Sequence, residues 1–268
     1  MLIVDAQVHL WDRGTPNPWH RQAPSYTKEE LLAEMDGAGV DRAVIVPPMW
    51  AGDDNGLALA AARAHPDRLC VLGRLALQDP ASRNVFDSWL DQPGMLGMRL
   101  TFGTPEQQAW LHDGSLAWLW PAAEKAGIPV MLMCFGHVET VGPVAAAHPD
   151  LKLTVDHLGL GRDKDEAAFR DLPTLLNLAK YPNVSVKACT LPIYSSDPYP
   201  YRNTHGYLKQ VYDAYGANRV FWGSDVTRLP GTYRECITMF TEELDFLTGA
   251  DIEATMGRAL CDWIGWKV

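Results

Sequence analysis

Asp5, Gln7 and His9 alternate along the apolar run LIVDAQVH (2–9), and polar residues close four later runs of strand length: Arg99 in LGMRLT, Asp156 and His157 in KLTVDH, Lys187 in VSVKAC and Asp225 in VFWGSD. Hydrolysis of an ester-like bond needs a base to deprotonate water, a hydrogen-bonding or positive group to hold the developing oxyanion, and a proton donor for the leaving oxygen. These residues supply candidates for each. Asp225 suits the base, since partial desolvation would raise the pKa of its carboxyl. His9 and His157 would polarise a carbonyl or carry a proton, and the amide NH₂ of Gln7 would donate to the oxyanion. Arg99 would anchor a substrate carboxylate through two parallel hydrogen bonds, with an internal ion pair to Asp5 or Asp156 as the rival reading. Lys187 has the same two readings.

This set matters only if the chain brings it together. Eight strand-length runs (2–9, 43–48, 70–75, 96–101, 129–134, 152–157, 184–189 and 220–225) alternate with segments whose apolar residues recur at three- and four-residue spacing, as in 27–39, 55–66, 115–127 and 232–247. Thr27 followed by Glu30 is a capping box in the making, and Gly39 and Gly127 stand where left-handed helix ends belong. Strands alternating with helices imply a parallel sheet, and eight units in 268 residues match a single (β/α)8 TIM barrel. A doubly wound sheet is the alternative, but no glycine-rich phosphate loop follows the first run. No linker or repeat divides the chain, so residues 1–268 read as one domain.

In such a barrel the C-terminal ends of the strands surround the active site. That is where Gln7, His9, Arg99, Asp156, His157, Lys187 and Asp225 fall. Asp5 reads as a structural anchor that accepts hydrogen bonds, because an unpaired buried carboxylate costs several kcal/mol. Two irregular loops, 13–26 and 191–206, are long enough to build a pocket and offer His20, Tyr194, Tyr199, Tyr201, Arg202 and His205. Tyr194, Tyr201, Arg202 and Trp50 are taken as substrate-binding candidates. Trp11 and Trp19 also sit beside mouth loops, whereas Trp118 and Trp120 read as helix packing.

A net charge of −10 and the lack of any Lys/Arg run argue against a nucleic-acid surface. A small molecule is the expected partner, with no membrane contact, and a homo-oligomer is left open. The five cysteines lack C-x-x-C spacing, so neither disulfides nor a cysteine-rich zinc site is expected. No apolar window is long enough to span a bilayer, and residues 1–7 do not read as a signal peptide, so a cytoplasmic protein is expected.

DAQVHLW, GMRLTF, VDHLG, NVSVKAC and FWGSD, in that order along the chain, resemble the amidohydrolase superfamily, specifically its amidohydrolase-2 branch of lactonases and related hydrolases. The resemblance implies the same barrel, and an aspartate at position 225 that activates water. It also implies a metal held by two histidines of the first strand, histidines ending the fifth and sixth, and the aspartate ending the eighth. Here His9, His157 and Asp225 match. Gln7 replaces the first histidine, and Met133 and Cys134 stand where the fifth-strand histidine would be, with His137 three residues beyond. A neutral amide is a poor zinc donor. An enzyme without a metal or other cofactor is therefore expected, as the resemblance permits; one zinc at His9, His157 and Asp225 is the alternative, with Cys134 as a replacement ligand. The expected reaction is Asp-assisted opening of a small lactone, sugar- or aromatic-derived and carboxylated or not. A zinc-dependent non-oxidative decarboxylase and a non-catalytic ligand-binding barrel are the other readings.

Overall fold

A computed structural model describes residues 1–267. Eight parallel strands, β1 (Val4–Val8), β2 (Arg42–Ile45), β3 (Leu69–Gly73), β4 (Met95–Thr101), β5 (Val130–Met133), β6 (Leu153–Val155), β7 (Val184–Cys189) and β8 (Val220–Gly223), pair in sequence order. The ring closes where the Asp225 amide donates to the Gln7 carbonyl at 2.9 Å. The molecule is a single (β/α)8 TIM barrel.

Asp5 fastens that closure. Its carboxylate accepts from the Gln7 and Ser224 amides, each at 2.9 Å, from the Tyr233 hydroxyl at 2.6 Å and from the Ser224 hydroxyl. The anchoring role expected from the sequence is what these bonds describe. Burial pushes the Asp5 carboxyl up to about 6, against the pull of the hydrogen bonds it accepts.

The first predicted helix spans Lys28–Ala38, with Thr27 and Glu30 completing the capping box and Gly39 left-handed at φ 82°. The segment 115–127 contributes a helix only from Leu119 to Lys125. Pro121 has no amide hydrogen to donate, so it is tolerated in a first turn and not further inside. The segment 232–247 is α-helical over Tyr233–Thr238 and continues as a wider π-turn over Met239–Glu243.

Apolar side chains from strands and helices, among them Val8, Leu31, Met35, Ile45, Leu132, Val186 and Trp222, form the core between barrel and helical ring. A second cluster packs the C-terminal helix through Leu260 and Ile264 against Val4, Ala6, Val44, Leu72 and Phe221. Among the described residues no helix is long and apolar enough to cross a membrane.

Several predicted strands stop short of their polar ends. β6 ends at Val155 and β8 at Gly223, and the chain then turns through left-handed conformations at His157 (φ 52°) and Asp225 (φ 50°). Non-glycine residues in this region cost about 1 kcal/mol or more, and such strain collects at functional sites.

Candidate active site

A cavity of about 800 Å³, counted out to solvent, opens at the C-terminal ends of the strands, lined by His9, Trp19, His20, Trp50, Arg99, His157, Arg162, Asp225 and Arg228 among others. The loop 13–26 forms one wall. It is tied at its base by paired backbone hydrogen bonds between Trp11 and Tyr26, and across the mouth by the Arg21 amide on the Thr227 carbonyl at 2.9 Å. That second tie delivers His20, whose Nδ1 meets the Thr227 hydroxyl at 2.8 Å and whose ring sits edge-on to Trp50 at 4.7 Å. On the other side the Arg162 guanidinium lies over the Trp19 ring at 4.2 Å.

At the floor, His9 Nδ1 donates to the Val46 carbonyl at 2.6 Å, which leaves the Nε2 of a neutral ring as a lone pair. That lone pair faces Asp225 Oδ1 at 3.4 Å and takes a long contact, 3.3 Å, from the Gln7 amide nitrogen. Asp225 Oδ2 accepts from Arg228 at 3.2 Å, whereas Oδ1 is buried without a hydrogen-bond donor. Burial opposes the charge on Asp225, but the His9 and His20 imidazoles, once protonated in acid, and the Arg228 guanidinium outweigh it and hold the carboxyl below the usual range. The sequence suggested the reverse shift; it could not show Arg228 beside the carboxylate. Burial pushes His9 down as well, and His20 and His157 down to about 3, so all three are neutral near pH 7.

Behind this floor lies a closed ionic network. Lys187, fully buried, pairs with Asp156 Oδ1 at 2.7 Å and donates to Gln7 Oε1 at 2.5 Å. Arg99 Nε meets Asp156 Oδ2 at 2.9 Å, and its Nη1 meets the Thr101 hydroxyl at 2.5 Å. Asp156 is pulled down to about 2, burial being more than offset by Lys187 and Arg99. Arg99 still reaches the cavity wall, but Lys187 and Gln7 do not line it. Gln7 was expected to touch substrate; of the two readings of Lys187, the paired interior residue is the one found. Gln7 instead spends its oxygen on Lys187 and turns its NH₂ to His9, so it positions that ring.

Other expected contacts also lie elsewhere. Tyr194 is buried behind the wall with its hydroxyl unpartnered, Tyr201 packs edge-on against Tyr199, and Arg202 is exposed and pairs with Glu243 at 3.0 Å. The 191–206 loop therefore does not line the pocket with these residues. Trp50 does line it. Arg228 and Arg162 were not singled out from the sequence. The signal for Arg228 was its place three residues after Asp225, where one tight turn returns its side chain to the carboxylate.

The donor set admits a divalent ion, with a membership different from that expected. One ligand atom each from His9, His20 and Asp225 lie within 4.8 Å of one another, and all three residues are buried. His157 is outside the group; its Nδ1 faces Cys189 Sγ and the Thr190 hydroxyl, both at 3.3 Å. Cys134 is outside it too, lining a separate apolar cavity with Trp120 and Val141, its thiol pushed up to about 12 by burial. His137 pairs with His112 at 3.0 Å in a more exposed cluster.

Comparison with known proteins bears on this arrangement. The amidohydrolase family model matches residues 4–258. An L-fucono-1,5-lactonase of Burkholderia ambifaria is 25% identical over 254 residues, covering 86% of this chain and 82% of that one. The solved structure of an amidohydrolase from Burkholderia multivorans with bound zinc superposes with a TM-score of 0.84 at 21% identity, covering 99% of both chains. That of a probable 2-pyrone-4,6-dicarboxylic acid hydrolase from Acinetobacter baumannii with citric acid bound gives 0.75 at 19%, covering 99% of this chain and 100% of that one. At such identities the structural likenesses speak for the fold alone.

Proposed function

The chain belongs to the amidohydrolase family, and from that premise we propose that it hydrolyses a small lactone, with Asp225 taking the proton of the attacking water. The observation that carries this reading is Asp225, a residue of the cavity lining whose ionised Oδ1 is a buried acceptor with no donor of its own, 3.4 Å from His9 Nε2. The likeness to an L-fucono-1,5-lactonase supports a lactone over an amide.

Water in the cavity beside Asp225 attacks the acyl carbon as its proton passes to Oδ1. The carbonyl oxygen gains negative charge, and the acyl–oxygen bond of the ring then breaks. The departing ring oxygen takes back the proton, and the product is a hydroxy acid that ionises at neutral pH. A low carboxyl pKa keeps Asp225 fully charged near neutral pH, although it also weakens it as a base. Arg228, in the cavity lining with its Nη1 held by Asp225 at 3.2 Å, steadies the oxyanion. Arg99 and Arg162 in the cavity wall favour a substrate that carries a carboxylate or several hydroxyls.

None of these roles calls on a bound ion. An ion held by His9, His20 and Asp225 would add Lewis-acid polarisation of a carbonyl and acidify a water.

The test is proton release on a panel of sugar- and aromatic-derived lactones. Wild-type protein is expected to open at least one of them, and Asp225→Asn to lower kcat by about 10³-fold or more, the scale of removing a principal catalytic group. Amide hydrolysis without lactone turnover, or wild-type rates in the variant, would overturn the reading.

A further inference from the structure

We propose that His20, from the loop after β1, takes the place of the missing first-strand histidine, so that His9, His20 and Asp225 form a three-donor site for a divalent ion of the zinc class. The inference concerns binding alone and stands or falls separately from lactone hydrolysis.

His9 Nε2 and Asp225 Oδ1 face each other at 3.4 Å. With His9 Nδ1 committed as donor to the Val46 carbonyl, Nε2 is the nitrogen left to face Oδ1, which has no hydrogen-bond donor at all; the protein's other contact on Nε2 is the long 3.3 Å approach of the Gln7 amide nitrogen. Buried acceptors left facing one another call for a cation between them. His20 supplies the third donor. Its Nδ1 is occupied by the Thr227 hydroxyl at 2.8 Å, and its Nε2 takes no hydrogen bond among the described residues. Each imidazole is thus oriented through one nitrogen by a neighbour, the arrangement that metal-ligating histidines use.

Gln7 is excluded for an equally local reason. Its amide oxygen accepts from the Lys187 ammonium at 2.5 Å, and Lys187 also pairs with Asp156. A cation drawn to that oxygen would meet a fixed positive charge. The Gln7 oxygen is therefore spent on Lys187, and its NH₂ makes only a long 3.3 Å contact with His9 Nε2, which an ion there would displace. Two imidazoles and one carboxylate are a donor set that zinc and cobalt accept, with room left for solvent or substrate oxygen. Binding would use the same lone pairs that the hydrolytic reading offers to a water proton.

The experiment is titration of chelator-stripped full-length protein with Co²⁺, followed by the visible absorption of the bound ion, together with zinc competition and metal analysis after dialysis, all without lactone. One ion per chain is expected, with affinity lowered about 100-fold or more in His20→Ala and about 10- to 100-fold in Thr227→Val, which removes only the orienting hydroxyl. Gln7→Ala is expected to retain the ion. Circular dichroism of each variant separates lost binding from lost fold. No cobalt spectrum in wild type, unchanged affinity in folded His20→Ala, or loss of the ion in folded Gln7→Ala would each overturn the proposal. Because no substrate is present, an inactive protein that binds cobalt, or an active one that does not, tells the two readings apart.

Discussion

Gln7 changes its meaning between sequence and structure. As an amide in a histidine's position it invites a role at the substrate, but its oxygen holds the Lys187 ammonium and its nitrogen faces His9. Lys187 and Asp156 are both fully buried, at 2.7 Å from each other. Removing one partner of such a pair strands the other charge and destabilises by about 3–5 kcal/mol. Lys187→Met is thus expected to lower the free energy of unfolding by that amount in urea titration, and a change below about 1 kcal/mol would mean that the network is dispensable. The rival reading noted for Arg99, an ion pair with Asp156, is the one realised, although the side chain still edges the cavity. At this scale residue types and strand-end positions were legible, and partners were not. Whether Asp156 would take Lys187, Arg99 or solvent depends on distances across the barrel that a single strand's pattern does not encode.

Among the elements, the alternation of apolar runs and helical spacing was enough to place all eight strands, because parallel strands buried on both faces leave nearly continuous apolar runs. The strand ends were less legible. Left-handed turns at His157 and Asp225 come from non-glycine residues, so nothing in the local composition announces them. The loop 13–26 was recognisable as irregular, yet His20 gains its place through Thr227, 207 residues away in sequence. Closure of the ring between β1 and β8 rests on Asp5, with Tyr233 reaching back to it at 2.6 Å. Tyr233→Phe removes a hydrogen bond to a buried carboxyl and is expected to cost about 1.5–3 kcal/mol of stability. Chemical denaturation checks this; an unchanged midpoint would show that the Ser224 and Gln7 donors suffice.

For the molecule as a whole, the buried neutral histidines set the acid flank of stability. His20 and His157 are held at about 3, against about 6.5 in an unfolded chain. Below pH 6.5 the unfolded chain takes up protons that the folded one refuses, so the stability these groups contribute is complete above 6.5 and is lost as pH falls through about 3. Asp5, raised to about 6, works in the opposite sense: its contribution is present below about 3.8 and is lost as pH rises through 6. Two or more histidines against one carboxyl give a net fall toward acid. Thermal unfolding is expected to move little between pH 7 and 8 and to drop steeply from pH 6 to 4, with a shallower drop in His157→Gln. An acid slope identical in the variant would contradict the assignment.

The most direct test of hydrolysis by Asp225 is indicator-followed proton release from a lactone panel by chelator-treated wild-type protein, with Asp225→Asn in parallel. Ring opening by the treated protein and a loss of about 10³-fold or more in the variant are expected. Silence across the panel, or equal rates in the two proteins, would contradict it.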